Sequence, residues 1–200
     1  MACLIISGPS GAGKTTLLNR LKKEFDFYFS ISSTTRAKRE GEIDGVHYHF
    51  VSKDDFQNGI ENGQFLEYAL VHGNYYGTSL LPIQKAFDEG KSVVFDIDVQ
   101  GYKIAREKLE GDYVSVFIMP VSLAELESRL KSRNSNDSNI STRLKNAIDE
   151  VACICEYDFV IINDDLEKAY EELKQIFITT ELKKLTKIKK QIILSWSKGE

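Results

Sequence analysis

The sequence has few cysteines, little net charge and no long apolar run, and each shortage excludes a class of protein. Cys3, Cys153 and Cys155 form an odd set without metal-ligand spacing, so we expect reduced thiols that fill the core rather than a disulfide framework. A formal net charge of −4 argues against a general nucleic-acid binder. No stretch has the length and apolar character of a membrane span or a secretory leader. We therefore expect a cytoplasmic protein with neither nucleic acid nor membrane as a partner.

The length and the order of predicted elements indicate the fold class. Two hundred residues are enough for one domain with a sizeable core. Predicted strands alternate with predicted helices, which favours an α/β fold with a mainly parallel sheet covered by helices on both faces. The predicted strands span residues 2–7, 25–32, 92–98, 113–118 and 158–163, and we expect the last to be buried. The predicted helices span residues 15–23, 81–89, 99–109 and 166–178. Two more begin near residue 122, where Ser122 and Glu125 match a capping box, and near residue 140.

Short elements at close spacing interrupt this alternation between residues 45 and 78. The pattern predicts strands at 45–52 and 65–71 and a hydroxyl-rich turn at 73–78. Between the two strands it predicts a helix capped near Asp54 or Asp55 that ends at Gly59 or Gly63. We expect a small antiparallel or mixed patch here, separate from the main sheet.

Residues 8–15, GPSGAGKT, match the pattern G-x-x-x-x-G-K-T between an apolar strand and a helix. We call residues 8–13 the glycine loop. Its backbone amides can surround a phosphate, the Lys14 amine can contact two phosphate groups, and the Thr15 hydroxyl can bind Mg²⁺. The flanking strand and helix argue against a chance match. The pattern predicts a nucleoside triphosphate site formed by Gly8, Pro9, Ser10, Gly11, Ala12, Gly13, Lys14, Thr15 and Thr16.

The predicted strand at 92–98 ends in two carboxylates, Asp96 and Asp98. A buried strand with a terminal aspartate is typical of the second element of a phosphate-loop site, in which the carboxylate lies near Mg²⁺. Such strands are common, so the pattern is weak on its own. Beside the glycine loop it predicts a metal or substrate role for Asp96 or Asp98, and Mg²⁺ near Thr15 and Asp96 is the expected cofactor.

Three arginines flank a polar segment in the second half of the chain. Arg129 and Arg133 lie four residues apart on one predicted helix, and Arg143 lies near the start of the next. Residues 134–139 between them are asparagine, serine or aspartate. Two solvated helix faces would explain this pattern. Beside a triphosphate site, it favours a lid that closes over the transferring phosphoryl group.

The stretch from Lys183 to Trp196 is basic and has helical periodicity. It predicts a solvated terminal helix with one docked apolar edge. An oligomer contact and a mobile tail are the alternatives, and the oligomeric state is left open.

Residues 2 to about 178 resemble the guanylate kinase family, whose members make GDP from GMP and ATP. The resemblance consists of GPSGAGKT, SISSTTRAKREGE, YHFVS, FLEYA, GNYYGTS, FDIDVQG, the lid arginines and INDD, all in the family's order. It implies a single domain with a core at about 1–31, 80–121 and 156–200, an inserted GMP-binding subdomain at about 32–79 and a short helical lid at about 122–155. The partners it implies are ATP and GMP or dGMP.

The resemblance also implies a GMP site, and the chemistry of the assigned side chains suits it. Guanidinium and phenol groups match a phosphate monoester. A carboxylate can accept the N1–H and N2–H donors of guanine while a hydroxyl of Ser32 or Thr78 donates to O6. The residues assigned to the GMP phosphate are Arg36, Arg39, Tyr48 and Tyr76. Those assigned to guanine are Ser32, Glu67, Thr78 and Asp98.

Phosphoryl transfer to GMP needs no strong base, since the acceptor is already an anion, so positioning and charge stabilisation are the expected sources of catalysis. Asn163 resembles the family's residue beside the adenine of ATP. The residues expected to stabilise the transition state, with Mg²⁺, are Lys14, Arg133 and Arg143, assisted by Arg129 and Arg39.

Two positions depart from the family's usual pattern. Lys38 stands where the family commonly has proline, and the lid between Arg133 and Arg143 is one residue shorter than usual. The second departure leaves the register of the lid arginines open.

Other functions are compatible with the same fold. One is a protein-binding scaffold module that has lost catalysis, but such modules usually lack an intact Gly13-Lys14-Thr15. Another is a related kinase with a different phosphorylated acceptor, for which a base-recognising set such as Glu67 would have no purpose. A regulatory nucleotide-binding protein is the weakest alternative.

Overall fold

The structure is a computed structural model that describes residues 2–71, 73–109, 113–133 and 139–183, without the side chains of Val71 and Arg133. The strands are β1 (Cys3–Ser7), β2 (Tyr28–Ser30), β3 (Ser33–Thr34), β4 (His49–Phe50), β5 (Phe65–Val71), β6 (Asn74–Ser79), β7 (Val93–Asp96), β8 (Val114–Met119) and β9 (Phe159–Ile162). The helices are α1 (Lys14–Glu24), α2 (Lys53–Glu61), α3 (Leu80–Asp88), α4 (Val99–Lys108), α5 (Leu123–Arg133), α6 (Ile140–Val151) and α7 (Leu166–Lys183), with one 3₁₀ turn at Ile154–Glu156.

The main sheet has the strand order β2-β7-β1-β8-β9. Each of its strand pairs is parallel, which confirms the predicted parallel sheet. Successive side chains of β1 alternate between two apolar clusters. Leu4 and Ile6 pack with α1 and α7 on one face, and Cys3 and Ile5 pack with α3 and α4 on the other. The sheet is therefore covered by helices on both faces, and its strands end at a common edge.

The second sheet is the small mixed patch that the sequence predicts. Its strand order is β4-β3-β6-β5, with β3 and β4 parallel and the other two pairs antiparallel. The ring of Phe56 on α2 stacks on those of Phe65 and Tyr75, with ring centroids 4.3 and 5.2 Å apart. These aromatic contacts give the small sheet an apolar centre of its own.

Two predictions for this small sheet are wrong. The predicted turn at 73–78 is mostly strand β6, because its two tyrosines favour a pleated surface and its backbone pairs along β5, with one register shift between Phe65 and Glu67. The predicted strand at 45–52 is reduced to the two residues of β4. Ahead of β4 the amides of Val46 and His47 both donate to the carbonyl of Ile43, which forms a turn.

The caps of two helices also differ from the prediction. Ser52, rather than Asp54 or Asp55, caps α2, since its hydroxyl accepts from the amide of Asp55 at 3.0 Å. Ser122 accepts from the amide of Glu125 as predicted, at 3.1 Å. The Glu125 carboxylate accepts from Arg129 instead of completing the reciprocal capping box.

Burial is predicted incorrectly at two places. β9 lies at the edge of the main sheet, so Phe159, Val160 and Ile162 are partly exposed and only Ile161 is buried. Of the cysteines, Cys3 fills the core, whereas Cys153 is half-buried and Cys155 is exposed. All three thiols are free.

Two predicted features fall partly or wholly outside the described residues. They are the polar loop of the lid at 134–138 and the basic stretch from 184 onward. Within the described ranges, no helix combines the length and apolar character needed to cross a bilayer.

Candidate active site

The glycine loop connects β1 to α1 and passes close to the rest of the core. A Cβ on Gly8 would overlap the carbonyl of Ile118 on β8, and a Cβ on Gly13 would overlap the amide group of Asn163. Only glycine fits at these two positions. The loop's tight course, which leaves its backbone amides accessible, is therefore fixed by contacts with neighbouring elements.

Asn163 supports the glycine loop through a hydrogen bond to its backbone. Its Nδ2 atom donates to the carbonyl of Ala12 at 2.8 Å, and its own amide donates to the carbonyl of Met119 at 2.8 Å. The side chain is 5 % exposed. The sequence suggested that Asn163 lies beside a base, whereas the structure places its side-chain amide against the loop backbone.

The Lys14 amine lies back over the loop that precedes it. Its Nζ atom donates to the carbonyl of Gly8 at 2.5 Å and lies 3.4 Å from that of Pro9. The nearest carboxylate oxygen, on Asp96, lies 4.0 Å away. Burial raises the pKa of Asp96, and the charge of Lys14 opposes that rise. The amine is thus held by the loop's own carbonyls, on the side that faces Asp96.

A cavity of about 800 Å³ opens over the glycine loop, and we call it the loop cavity. Besides the loop itself, Lys14, Thr15 and Thr16, it has walls from the main sheet, from the residue before β4 of the small sheet, from the lid helices and from the start of α7. These wall residues are Tyr48, Asp96, Ile97, Asp98, Arg129, Ser132, Glu150, Asn163, Asp164 and Leu166.

A second cavity of about 870 Å³ lies between the main sheet and the small sheet, and we call it the intersheet cavity. Ser32, Glu67 and Tyr76 line it from the small-sheet side, and Arg143 lines it from α6. The two cavities meet, since both are lined by Ser10, Thr15, Tyr48, Asp96, Ile97 and Asp98.

Arg36 is held in place by a carboxylate that the sequence analysis did not single out. Glu42 accepts from Arg36 Nη2 at 2.7 Å and from the backbone amide of Arg39 at 2.8 Å. The hydrogen bond from Arg36 lowers the pKa of Glu42 to about 2. The Arg36 guanidinium also lies 5.5 Å from the ring centre of Tyr48, which in turn packs edge-on against Tyr76. The sequence did contain a signal for this contact, since Glu42 follows Arg39 by three residues in the stretch REGE at 39–42.

Glu67 is a buried carboxylate on β5. Its Oε1 atom accepts from the hydroxyl of Thr78 at 2.6 Å, and only 6 % of the residue is exposed. Burial raises the pKa of Glu67, and the hydrogen bond from Thr78 opposes that rise. The single hydroxyl proton of Thr78 is thus committed to Glu67.

The remaining predicted guanine-site residue, Asp98, has a structural partner. It caps α4 by accepting from the amide of Gly101 at 2.7 Å. Its position between the two cavities is therefore fixed by the first turn of that helix.

The predicted arginines are not gathered at one point. Arg129 lines the loop cavity, where its guanidinium donates to Glu125 and to the carbonyl of Asn163, each at 2.8 Å. Arg143 lines the intersheet cavity. The side chain of Arg133 lies outside the described residues. Arg39 is exposed, and neither Arg39, Arg36 nor Thr78 belongs to the lining of either cavity.

The lid contributes a further carboxylate, Glu150, that the sequence analysis missed. It lies seven residues after Arg143 on α6, two turns along the same side of the helix. Burial raises the pKa of Glu150, while Lys14 opposes the rise and Asp98 adds to it. A lone glutamate in a helix gives no sequence signal, so only the packing of α6 reveals it.

The side chains at the meeting point of the cavities could hold Mg²⁺. Thr15 and Asp96 offer the hydroxyl and carboxylate oxygens that this ion prefers. Within the described part of the chain, no three histidine, cysteine, aspartate or glutamate side chains form a metal-binding group. The residues therefore fit an ion that takes most of its ligands from phosphate and water.

Comparisons with known proteins agree on one family. The family model described as "Guanylate kinase" matches residues 1–180. The chain is 52 % identical over 200 residues to the guanylate kinase of Campylobacter jejuni strain RM1221, covering 98 % of each chain. It is 46 % identical over 197 residues to that of Sulfurimonas denitrificans, covering 98 % of this chain and 96 % of the relative.

A solved structure agrees as well. The crystal structure of guanylate kinase from Anaplasma phagocytophilum matches with a TM-score of 0.72 and 33 % identity, covering 90 % of this chain and 86 % of that one. The chain belongs to the guanylate kinase family.

Proposed function

We propose that this protein transfers the γ-phosphoryl group of ATP to GMP, and also to dGMP, to give ADP and GDP or dGDP. The observation that supports this most directly is the meeting of two cavities. One lies over a glycine loop and the other contains a buried carboxylate, and Thr15, Asp96 and Asp98 line both. A donor triphosphate and an acceptor monophosphate bound in these cavities would approach each other at the shared wall.

We assign the triphosphate to the loop cavity. The glycine-loop amides and the Lys14 amine would bind its phosphate oxygens. For Lys14, this means exchanging its contacts with the loop carbonyls for phosphate oxygens. Thr15 and Asp96 would hold Mg²⁺, which neutralises phosphate charge when bound. Asn163 would maintain the loop's shape through its bond to Ala12.

We assign the phosphate of GMP to the mouth of the intersheet cavity. Tyr48 and Tyr76 line that cavity, and Arg36 lies against the Tyr48 ring. Arg36 Nη2 donates to Glu42 and Nη1 to the carbonyl of Ala37, each at 2.7 Å. A phosphate would use the remaining N–H groups of the guanidinium. Arg39, whose side chain is exposed, would contribute a second guanidinium to the same phosphate.

We assign guanine to the space beside Glu67. The ionised carboxylate would accept the N1–H and N2–H donors, and Ser32, which lines the same cavity, would donate to O6. Thr78 would act through Glu67, since its proton is already donated to that carboxylate. Adenine would place an acceptor, N1, against this buried negative charge. Sites of this kind discriminate by about 10⁴-fold or more.

Cations in both cavities would stabilise the negative charge on the phosphoryl group during its transfer. Lys14 lies on the donor side and Arg143 on the acceptor side. A guanidinium about 4 Å from the migrating group contributes on the order of 4 kcal/mol at an effective dielectric of about 20. Only the part gained beyond the ground state accelerates the reaction. We assign supporting roles to Arg129, Arg133 and Arg39.

We also propose a division of the chain into three parts and a metabolic role for the protein. The division is a core at about 1–31, 80–121 and 156–200, a GMP-binding subdomain at about 32–79 and a lid at about 122–155. The activity would supply GDP for purine nucleotide metabolism in the cytoplasm, an environment that suits three free thiols.

A steady-state assay of ADP formation tests the proposal. ATP and Mg²⁺ are supplied with GMP, dGMP, AMP, CMP or UMP as separate acceptors. Turnover confined to GMP and dGMP supports both cavity assignments. Turnover with another phosphorylated acceptor would overturn the guanine assignment. A folded protein that binds ATP but shows no turnover with any acceptor would point to a non-catalytic module.

A further inference from the structure

Gly101, the third residue of α4, faces the buried carboxylate of Glu67. A Cβ placed on Gly101 would lie 3.1 Å from Glu67 Oε2, 3.3 Å from Glu67 Cδ and 3.3 Å from Asp98 Oδ1. These separations are shorter than ordinary van der Waals contacts of a Cβ, so any other residue would force its neighbours to move. Because Gly101 has no side chain, the Glu67 carboxylate can pack directly against its backbone.

The first turn of α4 cannot easily shift to make room. The Gly101 amide donates to Asp98, which caps the helix. Farther along the helix, Lys108 donates to the carbonyl of Phe65 at 3.1 Å, which ties α4 to β5. Tyr102, next to Gly101, is 1 % exposed and donates to the carbonyl of Glu156 at 2.6 Å. A side chain at position 101 would therefore displace Glu67 rather than the helix.

Glycine is otherwise a poor choice at this position. It is the least favourable residue in a helix after proline, so its presence inside α4 calls for a reason in the packing. The N-terminal turn of a helix also favours a nearby carboxylate because its free amides carry partial positive charge. With no Cβ in the way, Glu67 can lie close against that turn while Thr78 holds its other oxygen.

We propose that Gly101 is a positioning residue for base recognition: by lacking a side chain, it lets Glu67 lie where its carboxylate meets the donors of guanine. This inference rests on the proposed function, in which Glu67 binds the base. Gly101 itself touches no substrate. Through its amide it contacts Asp98, just beyond the end of β7, and its bare Cα faces Glu67.

The test is the Gly101→Ala variant, assayed with GMP and ATP varied in turn. Misalignment of one charge-assisted hydrogen bond predicts a rise in KM for GMP of about tenfold. The KM for ATP should stay within about twofold of wild type, because the glycine loop is untouched. The Tm should change by only a few degrees, since the helix propensity that alanine adds offsets part of the cost of displacing Glu67. Gln100→Ala, an exposed change in the same turn, is the matched control and should leave both KM values unchanged.

A double-variant cycle tests whether Gly101 acts through Glu67. Glu67→Asp alone should raise the KM for GMP because the shortened side chain no longer reaches the base. Adding Gly101→Ala to Glu67→Asp should raise it little further, since the shorter carboxylate leaves room for the new methyl group. Full multiplication of the two effects would overturn the proposal, because independent sites are additive in free energy.

The remaining outcomes are also decisive. An unchanged KM for GMP in folded Gly101→Ala would overturn the inference while leaving the proposed function intact, provided that wild type phosphorylates GMP. Failure of wild type to use GMP would overturn both. If Gly101→Ala and the double variant both fail to fold, the glycine serves only the packing of α4, and the proposal is wrong.

Discussion

Replacing Asn163 with alanine should weaken triphosphate binding without touching the acceptor site. The side chain makes one buried hydrogen bond, from Nδ2 to the carbonyl of Ala12 at 2.8 Å. It also fills the space over Gly13. The variant therefore leaves the carbonyl of Ala12 without its donor and opens a gap next to Gly13.

The size of the effect follows from this burial. A buried acceptor that loses its donor destabilises a protein by roughly 1–3 kcal/mol. Each kcal/mol lowers the Tm by about 2–4 °C in a domain of this size. Looser loop amides should weaken ATP binding by about tenfold, as expected for partial loss of one charge-assisted contact. The KM for GMP should stay within about twofold, since Asn163 lines only the loop cavity.

Binding measurements with ATP and with inorganic tripolyphosphate separate two roles for Asn163. If it supports the loop, Asn163→Ala weakens both ligands by the same factor, because both use the loop amides. A loss confined to ATP would refute this reasoning and would place the side chain against the adenine. Asn62→Ala is a matched control, since Asn62 also donates to a backbone carbonyl, at 2.7 Å, but in an exposed turn of α2.

Three further predictions concern charged groups. Lys14→Ala should lower kcat by about 10³-fold or more with GMP affinity nearly unchanged by calorimetry; an equal loss of GMP affinity would contradict the assignment of the two cavities. Glu42→Gln should raise the KM for GMP by about threefold to tenfold but not that for ATP, since the contacts of Glu42 with Arg36 and with the Arg39 amide both lie on the acceptor side; steady-state kinetics decide. Burial raises the pKa of Glu67, so protonation as the pH falls should raise the KM for GMP more steeply in wild type than in Glu67→Gln; parallel pH profiles would exclude Glu67 from recognition.

The sequence predicts the parts of the fold that depend on local pattern. The apolar strand, glycine loop and helix at residues 2–24 form as expected, because the glycine spacing and the strand–helix change are both local signals. The alternation of strands and helices likewise predicts the parallel sheet. Asp96, the last residue of β7, and Asp98 just after it fall at the common strand edge, because parallel strands end together.

Features that depend on long-range neighbours could not be predicted. β9 has the composition of a buried strand, and its exposure follows only from its place at the sheet edge. The stretch that forms β6 has turn-like residues, and its pairing with β5 decides its conformation. Asn163 and Ala12 are 151 residues apart in sequence, so no spacing rule connects them.

The segment from Asp96 to Gly101 connects the proposed donor site to the proposed acceptor site along the chain. Asp96 lies within 4.0 Å of the Lys14 amine, Asp98 caps α4, and Gly101 faces Glu67. These contacts succeed one another over six residues that leave one central strand and enter one helix. The segment is held by the sheet at one end and by α4 at the other, so under the proposed function we expect a displacement at one site to be felt at the other. If Glu67 binds the base as proposed, specificity for the acceptor depends on the core, through Gly101, as well as on the small sheet.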